Sequence, residues 1–252
     1  MPGTPRRATA KPLFETLVPQ PAYGRVAAAI EQKILGRSLR PGDALPTETE
    51  LAGQFGVNRS TVREALRRLE SAGLVGREGG SKRLRVTRPG RAETASRVSR
   101  ALALDDVTFI ELWEAMLAIA PRTAALAATR AGSPELASLE AAIAAVERAR
   151  GSEAAVQGVV QFFDGLAQAS GNRVLMLAMR PVTGLLSPSL RRMIDRTPQG
   201  RTRIVVAQRC ILEALRKGDA AEAESWMTRH VQDFRRGYEV AGISLDTRVV
   251  GS

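Results

Sequence analysis

The chain has 252 residues, which favours two domains over one, and its 44% apolar content is ample for a core. The formal net charge is +11, and a single cysteine, Cys210, excludes an internal disulfide framework and fits a reducing compartment. No leader-like apolar stretch follows the N-terminus and no run is long enough to span a bilayer, so a soluble cytoplasmic protein with no membrane partner is expected. The charge is unevenly placed. Residues 22–91 carry 14 Lys and Arg against 7 Asp and Glu, whereas residues 92–252 carry 20 against 18. That asymmetry is the footprint of a nucleic-acid-binding module joined to a nearly neutral partner domain.

Residues 1–21, rich in Pro, Thr, Ala and Arg, read as a disordered tail. From Ala22 to Leu35, Val26, Ile30 and Ile34 recur four apart and predict an amphipathic helix. Arg40-Pro41-Gly42-Asp43 is a turn. Thr47 and Glu50 have capping-box spacing, so a short second helix follows through Leu51, Ala52 and Phe55, and Gly56 ends it. A third helix lies within Val57–Gly73. Val62, Ala65, Leu66 and Leu69 form its apolar stripe, Asn58 and Ser60 offer side-chain oxygens at its start, and Gly73 sits at its end. Arg59, Arg63 and Arg67 recur every four residues on another face. Guanidiniums suit phosphate oxygens and the paired acceptors on the major-groove edge of guanine. Two helices joined so tightly make a helix-turn-helix, whose second helix enters the major groove. Leu74-Val75 and Leu84-Arg85-Val86 then read as two short strands, a wing whose tip holds Gly79, Gly80 and Lys82.

The segment from Gly42 to Val75, G-D-A-L-P-T-E-T-E-L-A-G-Q-F-G-V-N-R-S-T-V-R-E-A-L-R-R-L-E-S-A-G-L-V, resembles the winged-helix domain of the GntR family of bacterial transcription regulators, over roughly residues 22–88. The resemblance implies DNA contacts from Asn58, Arg59, Thr61, Arg63 and the wing tip at Gly79 and Gly80. Ser60, Arg67 and Lys82 join them as candidates. This chain departs from the family in carrying Thr49 where an arginine is usual, which weakens or removes one contact from the second helix.

Residues 89–105 read as a linker that turns helical toward Leu104. Residues 106–242 read as six or seven helices without strands, with boundaries at Gly132-Ser133-Pro134, Gly151-Ser152, Gly171-Asn172, Ser187-Pro188, Pro198-Gln199-Gly200 and Gly218-Asp219. Pro121 falls inside the first long helix, and residues 243–252 read as a tail. The fold class is therefore mainly α: an N-terminal winged helix-turn-helix with a two-stranded wing, then an all-α antiparallel bundle. Segments from Glu114, from Leu166 to Asn172, from Ile211 and from Met227 to His230 are similar to the FCD effector domain of the FadR subfamily. That likeness implies a ligand-binding bundle and a homodimer. Many FCD domains hold a divalent metal through one aspartate and three histidines. The matching positions here are Val159, Phe163, Gln208 and His230, so three of the four ligands are missing, and no metal or other cofactor is expected. An arginine that often anchors an acidic effector is replaced by Met116.

Periodicity gives a separate view of the same residues. Gln208 is the polar member of the stripe Ile204, Gln208, Ile211, Leu215, and His230 of the stripe Ala223, Met227, His230, Phe234. Either the two satisfy each other or a buried water, or they line an effector cavity. One cysteine and one histidine without a shared motif make no nucleophilic dyad, and no Walker A loop, dinucleotide fingerprint or CxxC pair is present, so an enzyme is not expected. The expected function is a dimeric regulator that binds a double-stranded DNA operator, with affinity modulated by an unknown small-molecule effector. The alternative is a DNA-binding dimer whose helical domain serves only for assembly.

Overall fold

The computed structural model describes residues 21–77, 83–197 and 199–249. It divides at Gly90/Arg91 into two compact units.

In the first unit, α1 spans Ala22–Leu35, α2 Glu48–Phe55 and α3 Arg59–Ser71. Each boundary has a local chemical cause. Thr47 Oγ1 accepts from the Glu50 backbone N–H at 3.3 Å while Glu50 Oε2 accepts from that of Thr47 at 2.7 Å, closing the capping box of α2. Gly56, at φ 63°, ends α2 in the left-handed region that glycine enters without strain. Asn58 Oδ1 accepts from the Thr61 N–H at 3.0 Å and so caps α3. Val62, Ala65, Leu66 and Leu69 of α3 are all buried, against Val26, Ala27 and Ile30 of α1 and Leu51 of α2. The wing strands, β1 (Val75–Gly76) and β2 (Arg85–Val86), pair antiparallel with Val75 opposite Val86. The turn before α2 extends this ribbon, because the Leu45 N–H donates to the Leu84 carbonyl and Ala44 bridges Arg85.

The second unit is all helical: α4 (Arg91–Leu104), α5 (Phe109–Arg130), α6 (Ser133–Arg148), α7 (Ser152–Ala169), α8 (Arg173–Arg196), α9 (Gly200–Lys217) and α10 (Ala220–Val240). Helix α5 packs on α10, α6 on α7, α7 on α8, and α9 on both α6 and α10. Small side chains set these close approaches. A Cβ on Gly158 of α7 would lie 2.7 Å from Val146 Cγ2 and 2.9 Å from the Val146 backbone nitrogen, so α6 and α7 meet at this distance only because the position is glycine.

Three sequence expectations are corrected. Residues 89–105 are not a linker that turns helical only near its end: α4 is helical from Arg91, buries Ala95 and packs on α8. Its buried face is built from small residues among polar ones, which hides it from an apolar-periodicity reading. Ser187-Pro188 is not a boundary, since α8 runs through Pro181 and Pro188. Each proline costs a backbone hydrogen bond, but Met179, Val182, Leu185, Leu190 and Met193 are buried along the same helix, and burial of each such side chain is worth about 1.5–3 kcal/mol. Residues 243–249 are not a loose tail. The Phe109 and Ile110 N–H groups donate to the Thr247 and Leu245 carbonyls, the Val249 N–H donates to the Val107 carbonyl, and Ile243 and Val249 are buried. This return segment supplies acceptors for the first free N–H groups of α5.

Candidate nucleic-acid interface and effector core

Arg59, Arg63 and Arg67 stand exposed on α3, on the face away from its buried stripe. At the start of the helix Asn58 Oδ1 accepts from the Ser60 hydroxyl at 2.9 Å and the Thr61 hydroxyl at 2.6 Å, as well as from the Thr61 N–H. Capping therefore occupies the Asn58 oxygen and not its amide N–H groups. Arg67 makes a loose pair with Glu64 at 3.8 Å. Gly79, Gly80 and Lys82 of the wing tip lie outside the described residues.

Arg63 has a partner that the sequence reading missed. Its Nε donates to both Glu48 carboxylate oxygens at 3.3 Å and its Nη2 to Glu48 Oε2 at 2.9 Å. The Arg63 hydrogen bond holds the Glu48 carboxyl below the usual carboxylate range, with Arg59 and Arg77 adding to the field. A guanidinium presents two bidentate edges, and Glu48 takes the one that includes Nε. The edge formed by the two terminal nitrogens is not taken by Glu48, and an edge of that shape matches the O6 and N7 pair of a guanine. Glu48 thus fixes one edge of the Arg63 guanidinium and leaves the other open.

Thr49, the departure from the family pattern, is exposed beside Glu48. It lines a concave pocket of about 240 Å³ with Arg59 of α3 and with Arg77 and Arg83 from the base of the wing. Positive charge therefore converges on this groove from elements other than α2. The signal for Glu48 was present in the sequence, as an acid at the first position of α2 in a strongly basic segment. Arg77 and Arg83 could be joined to it only through the wing pairing.

In the helical unit, Met116, Val159 and Phe163 come together. With Phe109, Trp113 and Tyr238, among others, they line an apolar slot of about 30 Å³. Gln208 and His230 do not line it. The residues do not fit the family's metal: Val159 and Phe163 are 2% exposed, fill the space with hydrocarbon, and offer no lone pair. The Phe163 ring stacks on His230 with centroids 5.9 Å apart and 11° between planes. Among the described residues, no group of three or more His, Cys, Asp or Glu could hold a metal ion.

Gln208 and His230 do not satisfy each other. Neither amide atom of Gln208 nor the Nε2 of His230 has a protein hydrogen-bond partner, although the residues are 0% and 1% exposed. Burial drives the His230 pKa down to about 4, opposed in part by Asp233, so the imidazole is neutral at physiological pH. It lines a second cavity, of about 140 Å³, between the C-terminal end of α8, α9 and α10. A buried polar group that meets neither protein nor water carries a desolvation cost of roughly 1–3 kcal/mol.

A winged helix-turn-helix with an exposed guanidinium row, on one chain with an all-helical domain, defines the class of protein: a DNA-binding transcription regulator. Comparison with known proteins supplies the family. Residues 22–82 match the model of bacterial regulatory proteins of the gntR family, and residues 111–233 match the FCD domain. The chain is 31% identical over 213 residues to the "Putative L-lactate dehydrogenase operon regulatory protein" of Escherichia coli K12, covering 82% of this chain and 81% of that one. The mannosyl-D-glycerate transport/metabolism system repressor MngR of Escherichia coli K12 is 52% identical over 50 residues, 20% of this chain and 21% of its own. Among solved structures, Streptococcus agalactiae GntR superposes with a TM-score of 0.59 at 25% identity, over 85% of this chain and 99% of that one. This chain belongs to the GntR family of transcription regulators, in the branch whose second domain is an FCD domain.

Proposed function

We propose that this regulator binds its operator as a homodimer in the cytoplasm, and that a small molecule held in the helical domain changes operator affinity by altering the spacing of the two winged helices. In this reading Arg59 and Arg63 read base edges, while Asn58, Ser60, Thr61, Arg67 and the wing hold the phosphate backbone. The observation that carries it is the exposed row on α3, with Arg63 aimed by Glu48 and its terminal edge free. The FCD match over residues 111–233 favours a ligand-binding role for the helical domain over a purely structural one.

The test is a binding comparison on an operator selected in vitro from random duplexes. Arg59→Ala and Arg63→Ala are each expected to cost about 1–3 kcal/mol on that operator and much less on unselected DNA. Equal losses on both would reduce these arginines to phosphate contacts. Sedimentation of the operator complex is expected to show two chains per duplex.

A further inference from the structure

The groove beside Thr49 gathers cations from segments far apart in sequence. Arg59 opens α3, Arg77 follows β1 and Arg83 precedes β2. All three are exposed, and all line the same concave space of about 240 Å³. The antiparallel pairing of Val75 with Val86 and Gly76 with Arg85 brings Arg77 and Arg83 to one end of the ribbon. The neighbouring Arg85 is committed elsewhere, since its Nη1 donates to the Gly42 carbonyl at 2.7 Å. Helix α2 contains no Lys or Arg, and the Glu48 carboxylate that lines the groove is held by Arg63. The field of the three arginines reaches the first turn of α2. Glu48 is held low chiefly by its Arg63 hydrogen bond, with Arg59 and Arg77 adding; Glu50 is held low chiefly by its Thr47 hydrogen bonds, with Arg83 adding. Leu45, Leu66 and Leu84 supply apolar lining, and low-dielectric walls strengthen the potential of charges gathered at a cleft.

We propose that Arg77 and Arg83 clamp one backbone phosphate of the bound duplex in this groove, and so fix the base of the wing on DNA without regard to sequence. Guanidiniums converging on one space call for a ligand that accepts hydrogen bonds on every side. A phosphodiester does so through its anionic oxygens and matches the guanidinium fork, whereas the edges of adenine and of whole base pairs mix donors with acceptors. The exposed Thr49 hydroxyl supplies a further donor at the same place. The inference rests on reading the α3 face as the one laid against DNA. It gives Arg77 and Arg83 a positioning role and leaves the base edges to α3.

Salt dependence is the test, because each phosphate neutralised contributes about 0.9 to the slope of log affinity against log salt concentration. The full-length protein and its double variant Arg77→Gln, Arg83→Gln are titrated over a salt series onto the operator selected in vitro and onto an unselected duplex. The variant is expected to lose affinity by the same factor on both, with a slope lower by about 0.9 per bound protomer. Both side chains are exposed, so the melting temperature is expected to stay at the wild-type value. Lysine at both positions keeps the charge without the fork and is expected to recover the slope. Arg25→Gln with Lys33→Gln removes the same charge from exposed positions of α1 outside the groove, and is expected to leave the slope in place. An unchanged slope in the glutamine variant overturns the clamp, and so does an equal fall in the α1 variant. A fall twice as large overturns the single shared phosphate. A loss confined to the selected operator makes Arg77 and Arg83 base readers and overturns the clamp as well. Arg59→Ala in the same assay keeps the two readings apart. Its equal loss on both duplexes counts against base reading by Arg59 and leaves the clamp standing. Its selective loss, beside an unchanged slope in the glutamine variant, does the reverse.

Discussion

Glu48 and His230 show how single side chains shape each half of this regulator. The Glu48 carboxylate holds Arg63 through three donor–acceptor contacts, yet both residues are partly open to water, with side chains 29% and 52% exposed. Screening keeps the contribution of such a pair to stability small. In the proposed reading its value lies in aiming the guanidinium. Glu48→Gln is therefore expected to leave the melting temperature nearly unchanged and to lower the ratio of operator to random-DNA affinity. If the ratio stayed at the wild-type value while Arg63→Ala reduced it, Glu48 would have no aiming role.

His230 carries the opposite kind of effect. Its pKa in the folded protein, about 4, lies below the ordinary value of 6.5 because burial penalises the charged form. Above pH 6.5 both folded and unfolded chains hold a neutral imidazole, and His230 adds no pH dependence. As pH falls from 6.5 toward 4 the unfolded chain takes up a proton that the native state refuses, so stability is lost through that window. The full loss is roughly 3 kcal/mol at 1.36 kcal/mol per unit of pKa. Urea titrations at several pH values should show the decline in the wild-type protein and a much flatter profile in His230→Gln.

At the scale of elements, helix spacing in the bundle depends on which glycines face a neighbour's backbone. Replacing a helical glycine by alanine normally stabilises by about 1 kcal/mol through propensity. At Gly158 that gain opposes contact at 2.9 Å with the Val146 backbone nitrogen, which cannot swing aside as a side-chain tip can. Overpacking of this kind costs typically 1–3 kcal/mol, so Gly158→Ala is expected to be destabilising. At Gly184 of α8 nothing lies within 4 Å of an added Cβ, and Gly184→Ala is expected to be stabilising. Denaturant midpoints of the two variants should move in opposite directions. The same principle explains α4 and the continuous α8. Packing against neighbours supplied the energy that Ser96, Ser99, Pro181 and Pro188 would not have provided alone.

For the whole molecule, the departure from the family's metal chemistry is the most direct test. A ligand that does not bind the native state cannot stabilise it. Zinc or nickel added to chelator-stripped protein should leave the melting temperature unchanged, since Val159 and Phe163 supply no donors and Gln208 and His230 together fall short of the three that a zinc site normally needs. A rise of several degrees, abolished by His230→Ala, would show that a metal site survives by some other arrangement. Among the described residues no helix is long and apolar enough to cross a membrane.

Much of the DNA-binding unit was legible in sequence because its determinants are local. A capping box, a glycine at a helix end and an i, i+4 arginine row each act within a few residues, and Thr47, Gly56 and Arg59–Arg67 stand where local rules put them. That Val159 and Phe163 offer no metal donor was equally plain, since donor chemistry belongs to residue identity. Tertiary structure decided what depends on distant chain segments meeting. It set Glu48 against Arg63, brought Arg77 and Arg83 to the groove beside Thr49, folded residues 243–249 onto the start of α5, and left Gln208 and His230 apart and unpaired. Periodicity showed that those last two side chains face a core. Which atoms they meet there depends on helix spacing and rotation, which the packing of seven helices determines together.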